Sequence, residues 1–442
     1  MSSRLHFCYP LVLALVAALI ACSLQREADA QAFGIELHAT VNPAAGGMAG
    51  VSIARPQDLQ SAFTGNPATL TQFRGTQFSF GGAWVEPTIN VNNEANLPVA
   101  GVSPFQARSE QPGSALGNIA VTQDFTAFDL PVTWGAGFLS GAGLGVKYMT
   151  EPNSNGSVAS LLALNIATGV GVQVTERLSV GAQAYVTYAV LDGPFSGLSA
   201  ATPSYGLRGL FGANYELTDN TTLGGYWKTK QTLQFDDAIR LSIGGGAFST
   251  SQDVSMGLPE TFGVGIANDS LMDGRLLLAS DILYKQYSET DFFGAIWDDQ
   301  FIIQTGLQYQ LTRKIRVRLG YAFAENIMLD DPASSAGGIV PPGVIADAMH
   351  YLQSQFPAVN EHRISGGVGV RDILPGVDLD LSAGGMLDAS DYFGTAGSGS
   401  GASVESYWVS MGLTWRFGRG ACERLPIPNQ WDKCSDVGCG IR

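Results

Sequence analysis

Leu162-Ala163-Leu164-Asn165-Ile166-Ala167-Thr168-Gly169-Val170-Gly171-Val172-Gln173-Val174 separates into two rows when every second residue is taken. The even row is Leu, Leu, Ile, Thr, Val, Val, Val; the odd row is Ala, Asn, Ala, Gly, Gly, Gln. Successive side chains of a strand point to opposite faces, so this period of two predicts a strand with one apolar and one small or polar face. After Thr175-Glu176-Arg177 the pattern resumes from Leu178 to Val190, with Ser179, Gln183 and Thr187 on the non-apolar face. It returns in Ile315 to Phe323, where Ile, Val, Leu, Tyr and Phe oppose Arg316 and Arg318. A soluble β-sandwich also alternates. Here the second row is rich in Gly, Ala, Gln and Arg, as the crowded lumen of a barrel would be.

The connections separate the two architectures. Short turns at 174–177, 217–220, 311–314 and 371–376 alternate with long loops near 93–116, 149–159, 193–204, 236–250, 289–297, 326–359 and 391–403. Short turns on one side and long loops on the other mark a bacterial outer-membrane barrel. Strand starts fall near 74, 117, 132, 160, 177, 205, 220, 251, 274, 298, 314, 360, 376 and 404. The expectation is an all-β, fourteen-stranded antiparallel transmembrane barrel with both chain ends on the periplasmic side. Composition agrees: 55 glycines, 45% hydrophobic residues and only 14% charged residues in 442 suit a wall that faces lipid. The last strand closes on Phe417 after Trp415-Arg416, an aromatic ending of the kind that engages the barrel assembly machinery.

The segment before the wall reads as an export signal. Leu11 to Ala21 behind Arg4 is too short to span a bilayer. Ala28-Asp29-Ala30 predicts cleavage before Gln31, while Leu19-Ile20-Ala21-Cys22 has the form of a lipoprotein box. Beyond it, no apolar run is long enough for a membrane helix. The expected parts are a signal at 1–30, a plug at 31–73, a barrel at 74–417 and a periplasmic tail at 418–442. Cys422, Cys434 and Cys439 lie in that tail, where an oxidising compartment favours one disulfide and a spare thiol over a metal. A net charge of −15 argues against nucleic acid as a partner. No cofactor, metal or catalytic residue is expected. His6, His38, His350 and His362 leave few options for a triad, and Gly141-x-Gly143-x-Gly145 lacks the helix pattern that follows a dinucleotide loop.

Residues 31–73 are too polar and too broken by glycine and proline to be wall, and length alone leaves a periplasmic arm and a luminal plug equally open. Three stretches bear on the choice: Phe33-Gly34-Ile35-Glu36-Leu37, Gly46-Gly47-Met48-Ala49-Gly50, and Ser61 to Leu70 with Asn66-Pro67-Ala68. Together with Leu223 to Lys230, Leu258-Pro259-Glu260, Arg318 to Ala322 and Glu361-His362-Arg363, in that order and spacing, they resemble the FadL/TodX family. That family comprises outer-membrane transporters of long-chain fatty acids and aromatic hydrocarbons. The resemblance implies a hatch filling the lumen and Gln31 as the mature start. It also implies energy-independent passage of a hydrophobic small molecule from an outer groove to an inner pocket, then sideways into the bilayer.

Trp134 to Gly145 holds five glycines in twelve residues, and glycine inside a strand marks a bend or close packing. The resemblance implies an inward kink in this third strand beside the hatch, with Asn66, Pro67, Ala68, Gly137, Ser140, Gly141 and Gly143 forming the gate. By the same resemblance Phe195, Leu198, Ile239 and Leu241 correspond to the capture groove and Phe33 to the inner pocket. Phe292-Phe293 and Ile296-Trp297 form an apolar loop cluster suited equally to ligand contact or to packing. A short outer helix is expected over Val344 to Phe356, with Ile345, Met349, Leu352 and Phe356 on one side. The fifth strand ends without a cation, and Arg208, Arg316, Arg318 and Arg363 could bridge luminal acids, so fatty acid and neutral hydrocarbon both stay open as cargo. A monomer in contact with outer-membrane lipid and lipopolysaccharide is expected. A general diffusion porin, an adhesin or receptor, and an outer-membrane lipase are the rival readings.

Overall fold

The structure is a computed structural model that describes residues 36–193, 201–243, 248–332, 342–359, 361–393 and 399–417. Seventeen strands occur among them. The first seven are β1 (Thr76–Asn93), β2 (Phe105–Arg108), β3 (Ser114–Ala127), β4 (Leu130–Lys147), β5 (Val158–Gln173), β6 (Leu178–Asp192) and β7 (Thr202–Thr218). Then come β8 (Thr221–Lys228), β9 (Gln231–Ile243), β10 (Phe248–Leu258), β11 (Glu260–Leu271) and β12 (Leu276–Gln286). The last five are β13 (Gln300–Gln310), β14 (Ile315–Ala324), β15 (His362–Leu374), β16 (Val377–Phe393) and β17 (Ser400–Phe417).

Each wall strand pairs antiparallel with the next, and β17 closes on β1 from Thr76↔Phe417 to Asn92↔Gly401. β2 only extends the upper end of β1, and β9 pairs only with β10. Fourteen strands therefore make the wall, as the alternation requires. The loop expected at 236–250 is instead largely a hairpin. β8 and β11 pair in the wall, and their continuations β9 and β10 pair with each other above it, so the eighth wall strand begins at Glu260 rather than near 251. The reason is barrel height: the period of two persists beyond the level where neighbouring strands remain available as partners.

The two faces sort as expected. Ile166, Leu207, Val264, Leu319, Ile364 and Val409 are exposed on the outside, while Thr122, Asp281, Lys285, Gln304 and Gln308 are buried inside. An apolar exterior over a polar interior is stable only where lipid replaces water outside the wall. All short turns lie at the end where Thr76 meets Phe417. At the β3–β4 turn, Phe128 and Asp129 both have positive φ (53° and 60°), the two-residue geometry whose twist matches an antiparallel hairpin.

Residues 36–75 fill the lumen. A 3-10 turn at Ala45–Met48, helix α1 (Leu59–Thr64) and a second 3-10 turn at Pro67–Gln72 are buried almost throughout. Asp58 organises this hatch: its carboxylate caps α1 at Ser61 N (2.8 Å) and accepts from Ala44 N and Ala45 N (2.8 and 2.9 Å). The wall holds the hatch through Asp281, which accepts from Ser52 N and Ile53 N (2.6 and 3.0 Å), and through the Arg55–Asp269 pair at 2.6 Å.

Above the hatch, outer segments close over one apolar core. Helix α2 (Pro342–Gln355) contributes Tyr351, and Phe356 follows it; both are fully buried. The buried side of α2 thus centres on Tyr351 rather than on Met349 and Leu352, which are only partly buried against the core. Phe293, Ile296 and Trp297 are also buried, Trp297 donating its indole N–H to the Phe356 carbonyl at 3.2 Å. That cluster packs; it is not an exposed patch.

Candidate functional site

Three parts of the lumen bear on function: the seam between β3 and β4, the junction of hatch and wall at Asn66, and a buried charge cluster at Glu36.

β4 pairs with β3 only from Leu130↔Ala127 to Phe138↔Ile119. Past that pair, β3 keeps its other neighbour β1 as far as Ser114, and β4 keeps β5 as far as Lys147, so the two strands part. The divergence coincides with a bulge in the β4–β5 ladder between Ser140 and Ala142, which leaves Gly141 outside the register. A Cβ on Gly141 would lie 2.2 Å from the Asn165 side-chain amide, so a larger residue at the bulge would have to displace that amide. Five consecutive residues, Ala142 to Val146, are all buried, so neither face of this stretch is exposed. The bulge falls within the glycine-rich stretch, and Gly137, Ser140, Gly141 and Gly143 lie along it. Gly137 holds one of the last β3 pairs, with Ala120, and Gly143 pairs with Leu162 of β5.

The seam is closed by side chains in place of a ladder. Ser140 N donates to Asn118 Oδ1 (2.8 Å) and Ser140 Oγ to the Gly117 carbonyl (3.2 Å). From the lumen, Asn118 Nδ2 donates to Asn42 Oδ1 of the hatch at 2.8 Å. Leu37 N donates to the Gly141 carbonyl at 3.2 Å, and Glu36 bridges Ala142, so the start of the described hatch lies along the kinked strand. Outside, Val102 and Phe105 of the first outer loop join Leu144 and Val146 in the apolar core.

Asn66, Pro67 and Ala68 contact other strands. Asn66 caps the turn at Ala68 N (3.0 Å) and donates to the Ile53 and Ala213 carbonyls (3.0 and 2.9 Å). Cβ atoms on Gly171, Gly181 and Gly212 would strike Pro67 or Asn66, so this turn rests on bare backbone of β5, β6 and β7. The structure therefore does not bring the Asn-Pro-Ala turn to the seam; Asn42, Gln60, Glu36 and Leu37 line it instead.

In the third part, Arg208 bridges a luminal acid, as the sequence allowed, and two lysines that the sequence did not single out join it. Glu36 is buried among Arg208 of β7 (2.6 Å), Lys285 of β12 (3.2 Å) and Lys228 of β8 (3.7 Å). Arg208 also donates Nε to the Thr229 carbonyl (2.6 Å) and NH2 to the Pro259 carbonyl, at the level where the wall hands over to the β9–β10 hairpin. Burial alone would raise the Glu36 pKa, but Arg208, Lys285 and Lys228 outweigh it and hold the carboxyl well below its usual range. His38 bonds the Tyr226 hydroxyl at 3.1 Å. Burial, with Lys228 and Lys285 nearby, pushes its pKa well below 6.5, so the ring is neutral. Each residue sits in the luminal phase of its strand, which the alternation does reveal; that they converge on one hatch carboxylate it does not.

That neutral imidazole has a measurable consequence. A base whose folded pKa is depressed contributes stability present above its unfolded pKa and lost as pH falls. Docking of the hatch is therefore expected to weaken below pH 6.5 by up to about 1.4 kcal/mol per pH unit. Glu36, depressed below 4.5, contributes nothing to the slope until stronger acid. Thermal unfolding of the detergent-solubilised protein from pH 7.5 to 5 checks this; an equal slope in His38→Gln would refute it.

Of the residues expected to line a cargo path, Phe33, Phe195 and Leu198 lie outside the described residues, as do the signal and the tail cysteines. Ile239 and Leu241 lie on β9, their backbones paired with Gln252 and Thr250. The apolar core over the charge cluster is built instead from Leu144, Leu161, Leu191, Leu233, Phe235 and Met256, with the aromatic cap above. At the opposite end, a cleft of about 330 Å³ is lined by Arg74, Asp124, Thr133 and Gln173 together with Phe125, Pro131 and Val132.

No protein-family model and no curated protein sequence matches the chain. Solved structures do. The Pseudomonas putida toluene transporter TodX superposes with a TM-score of 0.64 at 18% identity, covering 85% of this chain and 98% of its own. A Pseudomonas aeruginosa FadL homologue gives 0.64 at 14% identity over 88% and 100%. The Ralstonia pickettii toluene transporter TbuX gives 0.60 at 17% over 86% and 100%. This chain therefore has the fold of the FadL- and TodX-type outer-membrane channels, a closed fourteen-stranded barrel with its N-terminal segment packed in the lumen.

Proposed function

We propose that this protein passes hydrophobic small molecules across the outer membrane without an energy source, and that they leave sideways through the β3–β4 seam. The observation that carries the reading is the departure of β4 from β3 after Phe138, which leaves a break in the β3–β4 ladder spanned by the Ser140–Asn118 and Ser140–Gly117 contacts. An apolar solute gains about 25 cal/mol for each Å² it keeps out of water, so a route from an apolar outer core directly into lipid avoids the cost that a water-filled pore imposes. The hatch supports the reading against a general porin, since its described residues are buried within the lumen. The solved channels of the same fold are described as transporters of toluene or monoaromatic hydrocarbons, or as a homologue of FadL.

Cargo would be caught by the outer loops, lodge in the apolar core beneath α2 and Trp297, and reach the lipid once the Asn118–Ser140 contacts yield. Asn42, Gln60 and Leu37 would set how readily they yield. In a strain lacking its own such transporters, expression of this chain is expected to raise uptake of labelled toluene and of a labelled long-chain acid or alcohol above background. Import of a small sugar without uptake of any hydrophobic probe would refute the proposal.

A further inference from the structure

The cluster around Glu36 has the shape of a carboxylate site that already holds a carboxylate. One oxygen lies 2.6 Å from Arg208 and 3.7 Å from Lys228; the other lies 3.2 Å from Lys285. Three wall strands on one side of the barrel, β7, β8 and β12, supply these cations, and the anion comes from the hatch. Arg208 directs one nitrogen at Glu36 and its other donors at the Thr229 and Pro259 carbonyls. We infer that Glu36 is a specificity-determining residue: it fills the cationic pocket under the apolar core and so steers the channel toward uncharged cargo and away from acids.

Glu36 competes with any carboxylate that enters. An incoming carboxylate would have to displace Glu36 from Arg208 or lie beside it as a second negative charge in a site closed to water. Glu36 is tethered through the Leu37 N–H bond to Gly141 and the bridge to Ala142, so it competes at an effective concentration of roughly millimolar or more. An uncharged head group faces neither barrier. It can lodge in the apolar core above without disturbing the ion pairs. The inference rests on the transport reading above and adds the charge class of the cargo to it.

Dodecanoate and 1-dodecanol share a tail and differ in charge, which makes them the probes. Calorimetric titration of the full-length protein in detergent is expected to show wild type binding dodecanol at least as tightly as dodecanoate. In Glu36→Gln the three cations lose the carboxylate they share. Dodecanoate should then bind about tenfold tighter or more, equivalent to about 1.4 kcal/mol, while dodecanol changes little. Bound dodecanoate should also raise the Tm of Glu36→Gln more than that of wild type. Heat-modified migration on a gel reports whether the variant barrel folds. If it does not, Lys228→Gln with Glu36 retained serves, because it removes a cation and leaves the blocking carboxylate: dodecanoate must stay the weaker ligand there. The inference is overturned if wild type prefers dodecanoate, or if folded Glu36→Gln gains no affinity for it while dodecanol binds. Binding of neither probe to wild type or Glu36→Gln would instead overturn the transport reading, and this inference with it.

Discussion

Replacing Gly320 by valine is expected to leave the barrel folded and to open it. Gly320 faces the hatch from β14, and a Cβ there would lie 2.2 Å from Met48 C and 2.3 Å from Ala49 N. Both atoms are backbone, so no rotamer change relieves the clash. The turn cannot simply slide, because Gln304 donates to the Ala49 carbonyl (2.7 Å) and Ala49 N donates to Ser365 Oγ (2.9 Å). Gly306, the cross-strand partner of Gly320, packs against the same turn, since a Cβ added there would lie 2.6 Å from Met48 Cβ. The hatch turn must leave its seat, at a cost of about 3 kcal/mol, the upper end for overpacking a tight core. The wall keeps its ladders to Gly306 and Ser365, since a β-carbon does not disturb backbone pairing. Planar-bilayer recording should show steady conductance in Gly320→Val and none in wild type, with heat-modified gel migration unchanged. Gly225→Val is the control: its Cβ meets nothing nearer than 3.7 Å. A silent, folded Gly320→Val barrel would show that the hatch is not seated on this glycine.

The same contact explains much of the composition. Gly81 and Gly412 receive Pro43, Gly135 receives Phe63, and Gly224 receives the Ile53 carbonyl, so the hatch touches wall backbone around much of the circumference. A high glycine count is visible in the sequence; which glycines face the hatch follows from strand phase once the register is known. Strand phase itself was legible because lipid enforces it: Ile166 and Leu319 must face out, and Asn165 and Arg318 must not. The Gly-rich run in β4 likewise announced its bend at Gly141. Other features were not legible, for one shared reason. The β9–β10 hairpin, the deep face of α2 at Tyr351 and the convergence of Arg208, Lys228 and Lys285 on Glu36 all depend on which residues meet across the barrel. Alternation within a strand carries phase but no information about height or partner. Glu36 was conspicuous as a charge in an apolar stretch, yet nothing local indicated its three partners.

Locking the seam tests the route itself. Continuing the β3–β4 ladder by two residues past Ile119↔Phe138 would set Gly117 opposite Ser140, and Ser140 Oγ already reaches the Gly117 carbonyl at 3.2 Å. That contact makes the two residues neighbours across the seam, and a disulfide there would span about 4.4–6.8 Å between Cα atoms. The double substitution Gly117→Cys and Ser140→Cys is therefore expected to oxidise spontaneously in an exported chain, with Cys422, Cys434 and Cys439 changed to serine to prevent exchange. A covalent bond here replaces contacts that contribute about 1 kcal/mol each and must break for the strands to separate. Uptake of labelled toluene should fall at least about tenfold in the oxidised protein, corresponding to a barrier raised by only about 1.4 kcal/mol, and should recover on reduction. The single variants separate bond from bulk, since each adds a thiol without a cross-link and should transport nearly as wild type does. Combining the lock with Gly320→Val divides the two conceivable exits. If cargo leaves through the seam, the combined variant conducts ions through its unseated hatch while the route into lipid stays shut. Unimpaired toluene uptake by a fully oxidised cross-link with the hatch in place would mean that cargo passes the hatch toward the periplasm, and the break in the β3–β4 ladder would then be only an accommodation of wall to plug.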